Sequence, residues 1–299
     1  MYLLNNKTSI VDLLKSHNYI NPALSVEYHT DPFHYIIIRN MFKQEIYESL
    51  CDRFLTYIGR TTPYKDQPGA VHDYAGYIYG FNKSDCVNGY DFFIDPTWKN
   101  FCSQTFNIDT NKYVALSAHW HKAPSQHGFV HRDLNICSGS ITNDDNITLT
   151  GDCYYSDDSI DMQPNTVKFI RSLAGLFYLR NKEPLEPQDK GGTSIYSNWN
   201  ISSKIKDIQP ENNSLFMFEV CPRSFHGFSG ANFDRSAVVH WFHSSPAYLL
   251  RRHFDEVKFY SQKFNAPYER WNPKNNPWPI ENDPLYFQYF NTTFKESLQ

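Results

Sequence analysis

The sequence lacks any Cys-x-x-Cys pair: its six cysteines, Cys51, Cys86, Cys102, Cys137, Cys153 and Cys221, are scattered along 299 residues. That scatter argues against a disulfide framework and suits the reduced thiols of a cytosol. An excess of basic residues is also missing. With 28 Lys and Arg against 32 Asp and Glu, the net charge of -4 supplies no sequence-wide positive field, which argues against a nucleic-acid partner. No stretch approaches the apolar length needed to span a bilayer, and MYLLNNKTSIVDLLKSHNY at the N-terminus has no basic segment followed by an unbroken apolar run. The expectation is a soluble, cytoplasmic protein with no membrane partner. Gly191-Gly192 is not followed by the Lys-Ser/Thr of a phosphate loop, so these glycines more simply serve a tight turn into a strand.

Aromatic residues, by contrast, are abundant. Tyr contributes 21 and Phe 23 residues, enough for a sizeable core and for pocket walls. In the first third, Phe42, Ile46, Leu50, Phe54 and Ile58 recur at helical spacing, and Asp95-Pro96 offers a helix cap followed by a first-turn proline. Residues 1–112 therefore read as a mainly helical support. From residue 113 the pattern changes to short β-rich runs bounded by Gly, Pro, Asn or Ser: KYVALSAHWH, GFVHRDL, AGLFYLR, GTSIYSN, SLFMFEV, SFHGF and SAVVHWFH. Many short strands without intervening helices imply a barrel or sandwich. Residues 113–245 form this expected core, within one domain. Residues 134–167 interrupt it as an insertion with six Asp and no Lys or Arg, which reads as a solvated surface segment or as a lid favouring cationic groups. Residues 246–299 read as a helix followed by an aromatic- and Pro-rich tail that docks on the core or on a second subunit, making a homodimer.

Twelve histidines make metal sites easy to invent, so spacing has to discriminate among them. His131 and Asp133 stand at i and i+2, which on extended backbone puts both side chains on one face. His226, on a later run, can complete a set of two imidazoles and one carboxylate, the facial arrangement that leaves open positions on a non-haem iron. The rival metal pair is His119-Trp120-His121. A cupin would follow such a pair with a nearby Glu, and Lys122 to Gln126 supply none. Arg235, Ala237, Val239 and Trp241 share one face of the last strand, so a guanidinium able to clamp a carboxylate points the same way as an indole.

With HRD at 131–133, FYLRN at 177–181, GGT at 191–193, His226, Arg235 nine residues later and Trp241 six beyond that, residues 113–243 resemble the prolyl-hydroxylase branch of the Fe(II)/2-oxoglutarate-dependent oxygenases. The 134–167 segment departs from that pattern by lengthening the interval between HxD and Tyr. The resemblance implies a mainly β fold with flanking helices, a distorted double-stranded β-helix, and Fe(II), 2-oxoglutarate and O2 as cofactors, with ascorbate as a reductant. It implies His131, Asp133 and His226 as catalytic iron ligands, and Arg235 and Tyr178 as cosubstrate-binding residues. His121, ten residues before His131, falls where the family places a pocket tyrosine; Trp120, Thr193 and Trp241 are further pocket candidates. The implied reaction is hydroxylation of a C–H bond with release of succinate and CO2. Asp133 argues against the halogenase variant, which carries Gly or Ala there. The expected substrate is a small molecule or amino acid, with prolyl hydroxylation of a protein as the alternative and an inactive barrel acting as a binding module as a second.

Overall fold

The computed structural model describes residues 11–253, apart from residues 13, 67–75, 129, 134–135, 141–147, 150–165, 187 and 199. Its strands are β1 (Ser25–His29), β2 (Tyr35–Arg39), β3 (Gly76–Gly80), β4 (Tyr113–His121), β5 (Ile136–Ser140), β6 (Thr148–Leu149), β7 (Thr166–Tyr178), β8 (Thr193–Tyr196), β9 (Lys204–Ile208), β10 (Ser214–Glu219), β11 (His226–Phe228) and β12 (Arg235–Ser244). The helices are α1 (Gln44–Ile58), α2 (Pro96–Phe106) and α3 (Pro246–Arg252).

The large sheet runs β1-β2-β10-β7-β12-β4-β3, with β5 paired to β7 and β6 to β4; the small sheet runs β11-β8-β9. Two isolated antiparallel bridges, Ser125↔Ala231 and His131↔His226, carry the small sheet's pairing beyond β11. From β4 onward the chain passes from the large sheet to the 131 bridge, back to β7, across to β8 and β9, back to β10, across to β11 and back to β12. This repeated crossing between two sheets is a double-stranded β-helix, or jelly roll, and its layered form gives two cores. Val114, Leu116, Phe177, Val238 and Phe242 pack outward against Leu50 and Phe54 of α1 and Trp98 and Phe101 of α2. Tyr178, Ala237, Val239 and Phe216 face inward against Ile195 and Ile208 of the small sheet. The alternating strands thus bury one face beneath helices and turn the other into the barrel.

Both helices expected in the first third are present, and Pro246–Arg252 opens the C-terminal segment as α3. Asp95 caps α2 by accepting from the Thr97 N–H at 2.6 Å, with Pro96 in the first turn. The first third is nevertheless less helical than its periodicity suggests, since it also contributes β1, β2 and β3. The run Tyr35–Ile38 is buried at every position, and a strand covered on both faces shows no period-2 alternation by which to identify it. Within 134–167 the described parts are β5, β6 and the start of β7, so this segment extends the large sheet where β5 pairs with β7. Its six Asp, and the C-terminal tail beyond residue 253 with the dimer expected from it, lie outside the described residues. Among the described residues no helix is long and apolar enough to cross a membrane.

Gly192 is required by contact rather than by φ: a Cβ there would stand 2.1 Å from the Ile208 carbonyl oxygen of the neighbouring strand. Gly191 has φ +128, in the region that favours glycine. The two glycines bring β8 close beside β9 and leave Thr193 facing Tyr178.

Candidate metal centre and carboxylate clamp

His131 and His226 come together as backbone partners. Each donates its N–H to the other's carbonyl at 2.9 Å, which brings the two imidazoles to a centroid separation of 4.4 Å. Asp133, two residues on, turns to the same side: its Oδ1 is 3.9 Å from His131 Nε2 and its Oδ2 is 3.7 Å from His226 Nε2. One ligand atom from each of the three lies within 4.8 Å of the others. His226 Nδ1 is 2.9 Å from the Ser224 carbonyl, which can only accept, so Nδ1 carries the proton and Nε2 presents its lone pair.

Two further side chains hold the carboxylate. Arg171 donates to Asp133 Oδ1 at 3.0 Å, and the Trp241 indole N–H donates to Oδ2 at 2.8 Å. Burial pushes the Asp133 carboxyl up, but the Arg171 guanidinium foremost, with the two neighbouring imidazoles and the Trp241 hydrogen bond, outweighs it and holds it at about 2. An ionised carboxylate, an imidazole of defined tautomer and a second, partly exposed imidazole gathered on one side fit a divalent iron ion and leave positions on it for other ligands.

Simple alternation along β7 would turn Arg171 away from Asp133, so the sequence pattern alone does not mark it as part of the site. Trp241 pairs with Ala174 and Phe242 with Leu173, but the next pair is His243 with Arg171, leaving Ser172 as an extra residue. That bulge reverses the parity of β7 and turns Arg171 inward toward Asp133. The signal in the residues is weak, a basic side chain between Ile170 and Ser172 in a strand that also carries Lys168.

The second cluster lies further along the barrel. Arg235 is 3% exposed, donates its Nε–H to the Gly191 carbonyl at 3.2 Å, and lies over the rings of Tyr178 and Phe228 at 5.3 and 5.2 Å. No carboxylate of the described residues forms an ion pair with this buried guanidinium, which fits an acidic ligand. The Tyr178 hydroxyl is 2.8 Å from Thr193 Oγ1. Burial raises the Tyr178 phenol despite the opposing pull of Arg235, so it remains a protonated donor. His121 pairs with Arg235 across β4 and β12, and its ring lies 4.2 Å from Phe228. Burial, then Arg235, keeps this imidazole neutral by pushing it well below its usual range.

The structure therefore brings His131, Asp133, His226 and Trp241 together at one end, and Arg235, Tyr178, Thr193 and His121 at the other. Trp120 joins neither group. It follows His119 on β4 and so faces outward, where its ring lies 5.0 Å from Tyr77.

No protein-family model matches the chain, and no curated protein matches it in sequence. Similar solved structures include a Pseudomonas putida prolyl-4-hydroxylase, at 14% identity and TM-score 0.44, covering 79% of this chain and 97% of that one. A Trichoplax adhaerens prolyl hydroxylase, in complex with a hypoxia inducible factor oxygen degradation domain peptide fragment, is 15% identical with TM-score 0.47, covering 70% and 82%. The viral collagen prolyl hydroxylase of Paramecium Bursaria Chlorella virus-1, as a 2OG complex, is 14% identical with TM-score 0.44, covering 72% and 97%.

Proposed function

We propose that the protein is an Fe(II)- and 2-oxoglutarate-dependent dioxygenase that hydroxylates a C–H bond of a small molecule or amino acid. The observation that carries this reading is the pairing of two sites in one barrel: a His131-Asp133-His226 ligand set and a buried Arg235 with no carboxylate partner among the described residues. When bound, iron with 2-oxoglutarate supplies the O2 activation that turns C–H into C–OH with release of succinate and CO2.

The chain's own residues supply orientation and electrostatics. His131, Asp133 and His226 hold the metal, with Arg171 and Trp241 fixing the carboxylate. Arg235 takes the distal carboxylate of the cosubstrate through paired hydrogen bonds, and Tyr178 adds one neutral donor. The buried walls exclude water, which strengthens both sets of contacts.

The test is succinate formation from 2-oxoglutarate by Fe(II)-loaded protein in air, with small molecules and amino acids in one arm and prolyl peptides in another. Substrate-stimulated succinate with a hydroxylated product in the first arm supports the reading. A hydroxylated product only in the peptide arm replaces the substrate class, and no 2-oxoglutarate consumption in either arm overturns the activity.

A further inference from the structure

Ser117 and His119 form a polar pair that the ligand set and the carboxylate clamp leave unused. They stand two residues apart on β4, on one face, with Ser117 Oγ 2.8 Å from His119 Nε2. That face is the interior one, because Val114, Leu116 and Ala118 between them pack outward with the helices.

Strand register sets the height of the pair within the barrel. Across β4 and β12, His121 pairs with Arg235, His119 with Ala237, Ser117 with Val239 and Ala115 with Trp241. On the other side of β12, Tyr178 also pairs with Ala237. Arg235 begins the clamp, and Trp241, three inward rows further along β12, holds Asp133. His119 and Ser117 occupy the two rows between. The facing residues on β12, Ala237 and Val239, carry no hydrogen-bonding side chain, so along this floor the pair provides the polar surface between the two sites.

His119 is also partly exposed. Among the described residues on the inward faces of β4, β7, β11 and β12, it shares partial exposure with Leu176, Trp241 and Phe228, and His131 on the facing bridge is partly exposed too. The His119 ring stands 6.4 Å from that of Trp241, which holds Asp133, and Arg235 lies over the Phe228 ring.

Resting on the proposed function, we infer that His119, oriented by Ser117, contacts the 2-oxo acid midway between the iron ligands and Arg235 and helps select which 2-oxo acid binds. A dicarboxylate held between the metal ligands and the guanidinium would meet Ala237 and the imidazole in the row next to the clamp. Burial, then Arg235 and Arg171, pushes His119 down to about 3, so the ring offers hydrogen bonding without adding a third positive charge to that wall. Its bulk opposite Ala237 limits the width available to a longer acid.

Titration calorimetry of 2-oxoglutarate and 2-oxoadipate into Mn(II)-loaded protein tests this without turnover, with Mn(II) affinity and thermal melting measured for each variant. His119→Leu should raise the 2-oxoglutarate Kd about 3- to 10-fold, as expected for one neutral hydrogen bond, with Mn(II) affinity unchanged. His119→Gln should recover part of the loss, Ser117→Ala should show a smaller one, and His119→Ala should shift preference toward 2-oxoadipate. Unchanged 2-oxoglutarate binding in folded His119→Leu and Ser117→Ala overturns the inference and leaves the proposed function standing. A parallel loss of Mn(II) affinity in His119→Leu also overturns it, by assigning the ring to the metal. Wild-type protein that binds Mn(II) but no 2-oxo acid overturns the proposed function itself.

Discussion

The Arg171 guanidinium lies over the Trp241 indole, 4.2 Å from its ring centre, and the two side chains donate to opposite oxygens of Asp133. Each therefore fixes the other as well as the carboxylate, and the ligand has little freedom to rotate away from the imidazoles. Trp241→Phe keeps the stacked ring and removes only the N–H, and it should weaken Fe(II) binding about 10-fold, the lower end of the usual cost of losing a group that orients a ligand. A double-mutant cycle with Arg171→Met, read by anaerobic metal titration, should show coupling of roughly 0.5 kcal/mol or more. Additive effects would mean that the stacked pair does not act as a unit.

Removing a ligand is a harsher change with a different signature. His131→Ala and His226→Ala should each abolish iron-dependent turnover and tight Fe(II) binding while leaving far-ultraviolet circular dichroism close to that of the parent. His131 is partly exposed, and although the His226 ring is buried against Phe218, the backbone bridge between the two residues needs neither ring. Undiminished Fe(II) affinity in both variants would remove the triad.

For the clamp, the measured quantity is the 2-oxoglutarate requirement. Losing a bidentate charged contact from a buried site costs roughly 2–5 kcal/mol, so Arg235→Ala should raise that requirement about 30-fold to several-thousand-fold. Tyr178→Phe should move it by about 10-fold or less, since one neutral donor is lost. The apparent KM for the oxidised substrate should change far less in both.

His240 gives a prediction about stability rather than catalysis. Its ring is wholly buried among Phe93, Trp98 and Phe242, neither ring nitrogen has a hydrogen-bond partner among the described residues, and a Cβ on Gly175 would meet it at 2.3 Å. Burial pushes the imidazole down from 6.5 to about 3, so between those values the unfolded chain binds a proton that the folded chain refuses. Stability contributed by the neutral ring is intact above pH 6.5 and falls as pH drops toward 3, by up to about 1.4 kcal/mol per pH unit. Urea denaturation of His240→Leu should show a shallower acid limb than the parent over that window; parallel curves would mean that the ring is hydrated in solution.

The legible parts of this protein were those governed by short-range periodicity. His131 and Asp133 share a face because strands alternate, Arg235 and Trp241 for the same reason, and Asp95 starts a helix because its side chain caps an N–H two residues ahead. What escaped the sequence depends on interruptions of that alternation or on burial that hides it. Arg171 reaches Asp133 only because Ser172 bulges, and nothing in the residues themselves marks the bulge. The Tyr35–Ile38 strand is apolar throughout and so looks the same as a buried helical turn. Trp120 was drawn toward the pocket by its neighbours His119 and His121, although the same alternation that turns them inward turns it outward.

The reciprocal backbone bonds between His131 and His226 bear on when in folding the proposed metal could be taken up. The two residues lie far apart in sequence, and closing so long a loop requires the intervening strands to be ordered before the bridge can form. Nascent or unfolded chain therefore presents dispersed imidazoles, whereas the chelating geometry exists only in barrels that have completed their topology. An ion with negligible affinity for the unfolded chain adds about 2.7 kcal/mol of stability at a free concentration one hundred times its Kd. Metal supply would thus govern how long a folded molecule survives proteolysis, and a shortage of iron would be felt as lowered abundance as well as lost turnover.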